Sequence, residues 1–185
     1  GLLTENAMKL KDSSEKQKML QEGLVYLQRA INAYPEYIDG LILMGNAQWE
    51  LTKNINQALP YYYQILAINP YHQNTLQNFY IIVEQSKNTE DKINAYKTLL
   101  RYNPNEMTAY LNLGRTYGRE KNDLKNAQLY LETALKIAPN NYEVLSNLGT
   151  LYGLSKSYNA AIDALEKAAK MNPTIAKTQI DLGLS

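Results

Sequence analysis

The sequence predicts an all-α fold of stacked antiparallel helix pairs, and the spacing of its prolines is the first reason. Within 185 residues, five of the six prolines recur at intervals of 34 or 35, at Pro35, Pro70, Pro104, Pro139 and Pro173. Between them, apolar residues recur at spacings of three and four, the period of a helix buried along one face. Because a proline cannot continue a helix, each one predicts the end of one unit and the start of the next.

Each unit is long enough for two helices joined by a short polar turn. One pair cannot bury its apolar faces alone, so stacking of neighbouring pairs would supply the core. We therefore expect a single repeat array over residues 1–185, with repeats at approximately 3–35, 36–70, 71–104, 105–139 and 140–173. Residues 174–185 are expected to form the first helix of a further or capping repeat.

The first unit retains apolar and small residues at helical spacing, including Leu10, Gly23, Leu27 and Ala30. The sequence DSSE at 12–15 has the form of a capping box, in which side chains at the helix start bond to exposed backbone N–H groups. It therefore predicts the start of the second helix of this unit.

The second unit contains a proline directly before three tyrosines, in ALPYYYQILAINP at 58–70. Pro60 is expected in the opening turns of a helix, with the carbonyl that it would clash with, that of Asn56, at or before the cap. Tyr62 is expected in the core, whereas Tyr61 and Tyr63 point to different sides. The three rings therefore cannot form one aromatic box for a sugar or a proline-rich peptide.

The fourth and fifth units are the most regular. In the fourth, one apolar stripe holds Tyr110, Leu113, Gly114 and Tyr117, and a second stripe follows after a polar turn. The fifth unit has Leu145, Leu148, Gly149 and Tyr152 in the places of the first stripe. The small residues would allow two helices to approach closely, while the large ones would fill the space between neighbouring pairs.

These units resemble the tetratricopeptide repeat, whose pattern W-x2-L-G-x2-Y…A-x3-F…P has a period of 34 residues. The second unit matches through Met44, Gly45 and Ala58. In the third, Phe79 and Tyr80 replace the Leu-Gly pair and Lys92 replaces the small alanine, so we expect a helix pair with slightly altered packing there. The resemblance covers essentially the whole chain and implies a right-handed α-solenoid, a superhelix of helix pairs.

The composition argues against several classes of function. A formal net charge of +1 lacks the basic excess of a nucleic-acid binder. No apolar run is long enough to span a membrane, so we expect no direct membrane contact by this segment. The chain is 45% hydrophobic and has no cysteine, which fits a soluble segment and leaves cytoplasm and periplasm both open.

Both ends of the sequence are interpreted as cuts. The chain begins at Gly1 without a methionine, and TIAKTQIDLGLS at 174–185 stops while its helical pattern is still running. We expect the sequence to be a fragment of a longer chain. Its terminal apolar residues Ile180, Leu182 and Leu184 would then form an open edge, which makes end-to-end self-association an expected possibility.

No catalytic constellation is found in the sequence, which predicts that the protein is not an enzyme and uses no cofactor. Glycine-rich phosphate loops, nucleophile elbows and metal-ligand spacings are all absent. The only histidine, His72, is expected to be an exposed residue of an inter-repeat turn. Gly118 and Gly153 are interpreted either as hollowing the binding groove or as lying near helix ends.

The resemblance implies that first helices line a concave groove that binds a peptide or a partner protein. By helical phase, this face should include Leu43, Asn46, Trp49, Asn78, Ile81, Leu111, Asn112, Arg115, Arg119, Asn147 and Thr150. Asn78, Asn112 and Asn147 hold one place in three successive repeats and would form a ladder of amides for a peptide backbone. The alternative is that this asparagine is a common family feature without a binding role.

Two details of this groove stay open at the level of sequence. Trp49 is either an exposed anchor for a partner or a ring buried against the next repeat. The lysine and arginine by which chaperone-binding members of the family hold a C-terminal carboxylate are absent from the matching positions, which argues against that ligand.

Two functions are compatible with these observations. The first is a non-catalytic scaffold that binds a peptide or partner protein in the groove. The second is a soluble regulatory or substrate-docking tail of a larger bacterial enzyme, such as a membrane-bound glycosyltransferase, because the family's arrays occur attached to such enzymes.

Overall fold

The computed structural model of the protein describes residues 13–172, and all regular structure in this range is α-helical. The chain divides into two compact units, each built from more than one of the repeats, and these are called the first unit and the second unit. The first unit, which ends at Asn103, contains five described helices: α1 (Ser13–Ala33), α2 (Ile38–Thr52), α3 (Ile55–Ile68), α4 (Gln73–Gln85) and α5 (Thr89–Tyr102). The second unit, from Pro104, contains four: α6 (Met107–Arg119), α7 (Leu124–Ile137), α8 (Tyr142–Leu154) and α9 (Tyr158–Met171). The predicted all-α class is confirmed.

The helices end where the prolines predict. Helices α3, α5 and α7 each stop two residues before a proline of the repeating set. The residue that follows each helix, Asn69, Asn103 or Ala138, has a φ of −137°, −129° or −130°. This is the extended backbone that a following proline imposes on its neighbour. The expectations on Leu10, Asp12 and residues 174–185 lie outside the described residues.

Close approach of paired helices depends on one small residue in each regular repeat. In the second unit α6 packs on α7 and α8 packs on α9. A Cβ atom added at Gly114 would lie 2.5 Å from Leu131 Cγ, and one added at Gly149 would lie 2.5 Å from Leu165 Cγ. Both distances are far shorter than carbon–carbon contact, so only glycine fits at this helix spacing.

Aromatic rings fill the matching place in the first unit. Tyr62 and Tyr96 are fully buried, and a Cβ at Gly45 would lie 2.7 Å from the Tyr62 ring. In the third repeat Tyr80 stands where the family has glycine, and its ring centroid lies 6.1 Å from that of Tyr96. A ring pair therefore replaces the close helix contact, and the helix pair α4–α5 still forms.

Pro60 lies deeper in its helix than the sequence indicates. Helix α3 begins at Ile55, and the side chain of Asn54 caps it by accepting the N–H of Asn56 at 2.9 Å. The prediction that Asn56 lies at or before the cap is therefore wrong. Because Pro60 has no N–H, the carbonyl of Asn56 has no helical donor four residues ahead.

The three consecutive tyrosines point in different directions, as predicted. Tyr62 lies in the core, whereas Tyr61 is half-buried. The Tyr63 ring stacks on Tyr102 with centroids 5.8 Å apart, and its edge faces Phe79 at 6.1 Å. The three rings lie on separate sides of α3 and do not form one aromatic box.

His72 is a helix cap rather than the exposed loop residue that the sequence predicts. It is half-buried and precedes α4, where its Nδ1 accepts the Thr75 N–H at 3.3 Å. The same nitrogen lies 2.8 Å from the Thr75 hydroxyl, and Thr75 is fully buried. The imidazole thereby takes the role that asparagine or serine usually has at this position.

Replacing His72 with alanine is expected to lower the free energy of unfolding by about 1 kcal/mol, because the Thr75 N–H loses its cap. His72→Asn keeps an acceptor at the same place and is expected to stay within about 0.5 kcal/mol of the original chain. Thermal unfolding followed by circular dichroism measures both variants. Equal stability of the alanine and asparagine variants would show that the imidazole does not act as a cap.

Candidate partner-binding site

In the first unit, the first helices α2 and α4 enclose a cleft of about 400 Å³. Leu43 and Asn78, two residues of the predicted groove face, both line it. The half-buried side chains of Ile42 and Leu43 supply its apolar part. This cleft is where the structure brings predicted groove residues together within the first unit.

The rim of this cleft is polar. It is formed by Asp39 from α2 and by Asn74, Gln77 and Asn78 from α4. Asp39, Asn74 and Gln77 were not selected from the sequence, although a signal was present. Asp39 precedes Leu43 by one turn, and Asn74 precedes Asn78 by one turn, so they share a helix face with predicted residues.

Ile81 and Asn46 have different surroundings. Ile81 lies nearly one turn beyond Asn78 on α4 and is 56% exposed, so its side chain is available to a partner. Asn46 is half-buried, and its side-chain oxygen accepts the hydroxyl of Tyr62 from α3. Burial raises the pKa of Tyr62 above its ordinary value, which keeps this donor protonated. The Asn46 oxygen is thus used within its own repeat.

Trp49 is a packing residue, and the alternative of an exposed groove anchor is wrong. Its side chain is only 7% exposed. The ammonium group of Lys53 lies 5.3 Å from the ring centroid, within the range of a cation–π contact. Near the end of α2 the ring points toward the interior of the first unit. Little of its surface is therefore available to a partner.

In the second unit, α6 and α8 are joined by a polar network. Arg115 from α6 donates one guanidinium N–H to the Glu143 carboxylate and donates its Nε–H to Asn147 Oδ1 at 3.4 Å. Asn147 in turn donates through Nδ2 to the backbone carbonyl of Glu143 at 2.7 Å. Arg115 and Asn147 are therefore brought together, and Glu143 is a member that the predicted face omitted.

Leu111 does not line the polar face, which corrects its assignment. It is 2% exposed and belongs to a core cluster with Val144, Leu148 and Leu151 of α8. The helical phase used for the prediction places Leu111 next to Asn112 at the edge of the face. The neighbouring helix covers this edge and buries the leucine.

Asn112 and Asn147 do not present two equivalent free amides. Asn112 is 9% exposed, and its backbone carbonyl accepts the Thr116 hydroxyl at 2.8 Å. Both ends of the Asn147 amide already form hydrogen bonds within the unit. Asn78 belongs to the first unit, where it lines the cleft. The ladder of three amides remains a prediction.

Arg119 and Thr150 lie on exposed surface of the second unit. Arg119 is the last residue of α6. Thr150 donates its hydroxyl to the carbonyl of Ser146 at 3.1 Å, a bond within α8. Gly118 and Gly153 are the penultimate residues of α6 and α8. They therefore lie near helix ends, which is one of the two interpretations made from the sequence.

Within residues 13–172, no three side chains of the ligating types come close enough to hold a metal ion. No helix in the same range is long and apolar enough to cross a bilayer.

The stacked helix pairs and the polar surfaces of the first helices define a helical-repeat scaffold. Residues 108–141 and 142–175 each match the family model described as tetratricopeptide repeat. The resemblance predicted from the sequence is therefore confirmed over these two adjacent repeats. This family match supports protein interaction as the general role of the chain.

Solved structures of MamA have the same fold. One superimposes with a TM-score of 0.58 at 16% sequence identity, covering 91% of this chain and 99% of that chain. A second has a TM-score of 0.56 at 17% identity, covering 95% and 94%. MamA from Desulfovibrio magneticus RS-1 gives 0.56 at 16% identity, covering 94% and 97%. No curated protein sequence matches the chain.

Proposed function

We propose that the protein binds an extended peptide segment of a partner protein along its first helices. The cleft between α2 and α4 carries this proposal, because it combines an apolar base with a rim of amides. Amide side chains both donate and accept hydrogen bonds, as a peptide backbone does. The cleft volume of about 400 Å³ falls within the range of about 300–1,000 Å³ that ligand sites occupy.

The contacts of the cleft are sufficient for moderate affinity only when polar and apolar groups act together. Three amides, each forming a hydrogen bond worth about 0.5–1.5 kcal/mol net, supply at most ~4.5 kcal/mol. Micromolar binding corresponds to about 8 kcal/mol. Burial of Leu43 and the exposed Ile81 by the peptide would add about 1.5–3 kcal/mol for each side chain that is fully covered. The peptide should therefore carry apolar side chains among polar ones.

Charge sets a further preference at the cleft. Asp39 is the one charged residue among the described residues that line it. A lysine or arginine of the peptide that reaches the rim would be attracted to this carboxylate, whereas an acidic residue would be repelled. In the second unit the Arg115–Glu143 pair is internally neutralised, so the polar face of that unit carries little net charge of its own.

Selection of peptides by display on the purified protein, followed by fluorescence polarisation, tests the proposal. Asn74→Ala combined with Asn78→Ala is expected to weaken the selected peptides at least tenfold, because two rim amides are lost. The matched control replaces two exposed asparagines away from the cleft, Asn140 and Asn159, with alanine and is expected to stay within twofold. Unchanged affinity in the Asn74/Asn78 variant would exclude the cleft as the peptide site.

A further inference from the structure

A second groove in the first unit lies on different helices from the cleft. It runs between the second helices α1 and α3 and has a volume of about 620 Å³. Five carboxamide side chains line it: Gln28, Asn32, Asn56, Gln57 and Gln64. None of the described residues that line the groove carries a charge. An uncharged, amide-rich groove of this size requires its own explanation.

The carboxamides make the groove suited to an uncharged ligand with many hydrogen-bonding groups. Each amide offers two N–H donors and an acceptor oxygen. Gln28 donates to Asn32 Oδ1 at 2.8 Å, which orients both amides and leaves their remaining N–H groups for a ligand. A charged ligand would lose hydration here without meeting an opposite charge, which is unfavourable.

Pro60 also lines this groove and removes one helical hydrogen-bond donor. Because the proline has no N–H, it leaves the Asn56 carbonyl without its helical donor, and both residues line the groove. A carbonyl that lacks its usual helical donor can accept a hydrogen bond from another backbone N–H, from water or from a ligand. Hydroxyl groups are suitable donors, since each one can donate to this carbonyl and accept from a neighbouring amide.

Apolar side chains also line the groove. Ile31 is 7% exposed, and the ring of Tyr61 beside it is half-buried. The rings of Pro35 and Pro60 complete this surface. Flat apolar surfaces surrounded by amides suit a ligand ring that presents C–H groups on its faces and hydroxyl groups around its edge. A tyrosine ring supplies such a face together with a polar tip.

We propose that this groove binds a short uncharged oligosaccharide. The main competing ligand is an uncharged peptide, which loses more conformational freedom on binding than a chain of rigid rings does. Each peptide residue that becomes ordered on binding loses about 1–2 kcal/mol of conformational freedom. Sugar rings are already rigid, so less entropy is lost for each hydrogen bond formed.

Saturation-transfer difference NMR and titration calorimetry with maltotriose, cellotriose and triacetylchitotriose test the assignment. At least one of these trisaccharides is expected to bind, with its ring protons close to the Tyr61 ring. Gln57→Ala combined with Gln64→Ala should weaken that binding at least fivefold. The control, Gln17→Ala combined with Gln21→Ala, removes two exposed glutamines of α1 that do not line the groove, and it should stay within twofold.

Three results would overturn the proposal. The first is that none of the three trisaccharides binds. The second is that binding persists unchanged in the Gln57/Gln64 variant, which would place it elsewhere. The third is that an uncharged Gly-Ser-Asn-Gly-Ser-Asn peptide binds and is lost in that variant while the sugars do not bind, which would assign the groove to a peptide. Because these residues lie outside the cleft, the outcome is independent of the peptide-binding proposal.

Discussion

Tyr62→Ala is expected to lower the free energy of unfolding by about 3–5 kcal/mol, the cost typical of removing a fully buried aromatic ring. The Tyr62 side chain has no exposed surface and lies directly against the backbone of Gly45. Its removal leaves a cavity between α2 and α3 that a rigid helix pair cannot close. Since small domains have only about 5–15 kcal/mol of stability in total, this loss is a large fraction of it.

The variant Tyr62→Phe distinguishes the contribution of the ring to stability from that of the hydroxyl group. This variant keeps the packing and loses only the hydrogen bond to the Asn46 oxygen, so its expected cost is about 1 kcal/mol. Urea unfolding followed by circular dichroism gives both values. A cost below about 2 kcal/mol for alanine would mean that the helix pair repacks around the missing ring, contrary to the behaviour of most cores.

Alanine substitutions at two glycines of the second unit are expected to change the free energy of unfolding in opposite directions. At Gly114, the new methyl group would lie 2.5 Å from Leu131 Cγ and 3.2 Å from the Ala127 carbonyl oxygen. Overpacking of this kind costs about 1–3 kcal/mol. At Gly153 no described atom outside its chain neighbours and the backbone of its own helix lies within 4 Å of the added Cβ, so alanine gains helix propensity without a clash. The expected gain is up to about 1 kcal/mol.

The pair of variants serves as its own control, because both glycines lie in first helices of the same unit. Thermal unfolding should show Gly114→Ala melting below the original chain and Gly153→Ala melting above it. A change of 1 kcal/mol corresponds to about 2–4 °C in a chain of this size. Two shifts of the same sign would indicate that helix propensity, rather than the space beside each glycine, controls stability at these positions.

The helices and their ends were predictable because the responsible interactions are local. A proline restricts its own backbone and that of the residue before it, whatever the rest of the chain does. Helices α3, α5 and α7 accordingly end two residues before Pro70, Pro104 and Pro139. Periodic apolar spacing likewise fixes which side of each helix is buried.

The candidate site was less predictable because it depends on neighbouring helices. Helical phase gives the direction of a side chain about its own axis but not what lies opposite. Leu111 and Trp49 were therefore assigned to the groove face, although neighbouring residues bury them. The hydrogen bonds of Asn147 could not be predicted either, since they involve Arg115, which lies 32 residues away in the sequence.

The Arg115–Glu143 pair has a consequence for how the second unit would choose its partners. A carboxylate that approaches Arg115 does not meet an open cation but must replace the carboxylate of Glu143. One ion pair is then exchanged for another, and the net gain in free energy is small. Glu143 thus competes with any carboxylate of a partner for the guanidinium group of Arg115. Arg115 would therefore contribute little to the strength of binding and would instead exclude acidic segments that cannot also satisfy the amide of Asn147.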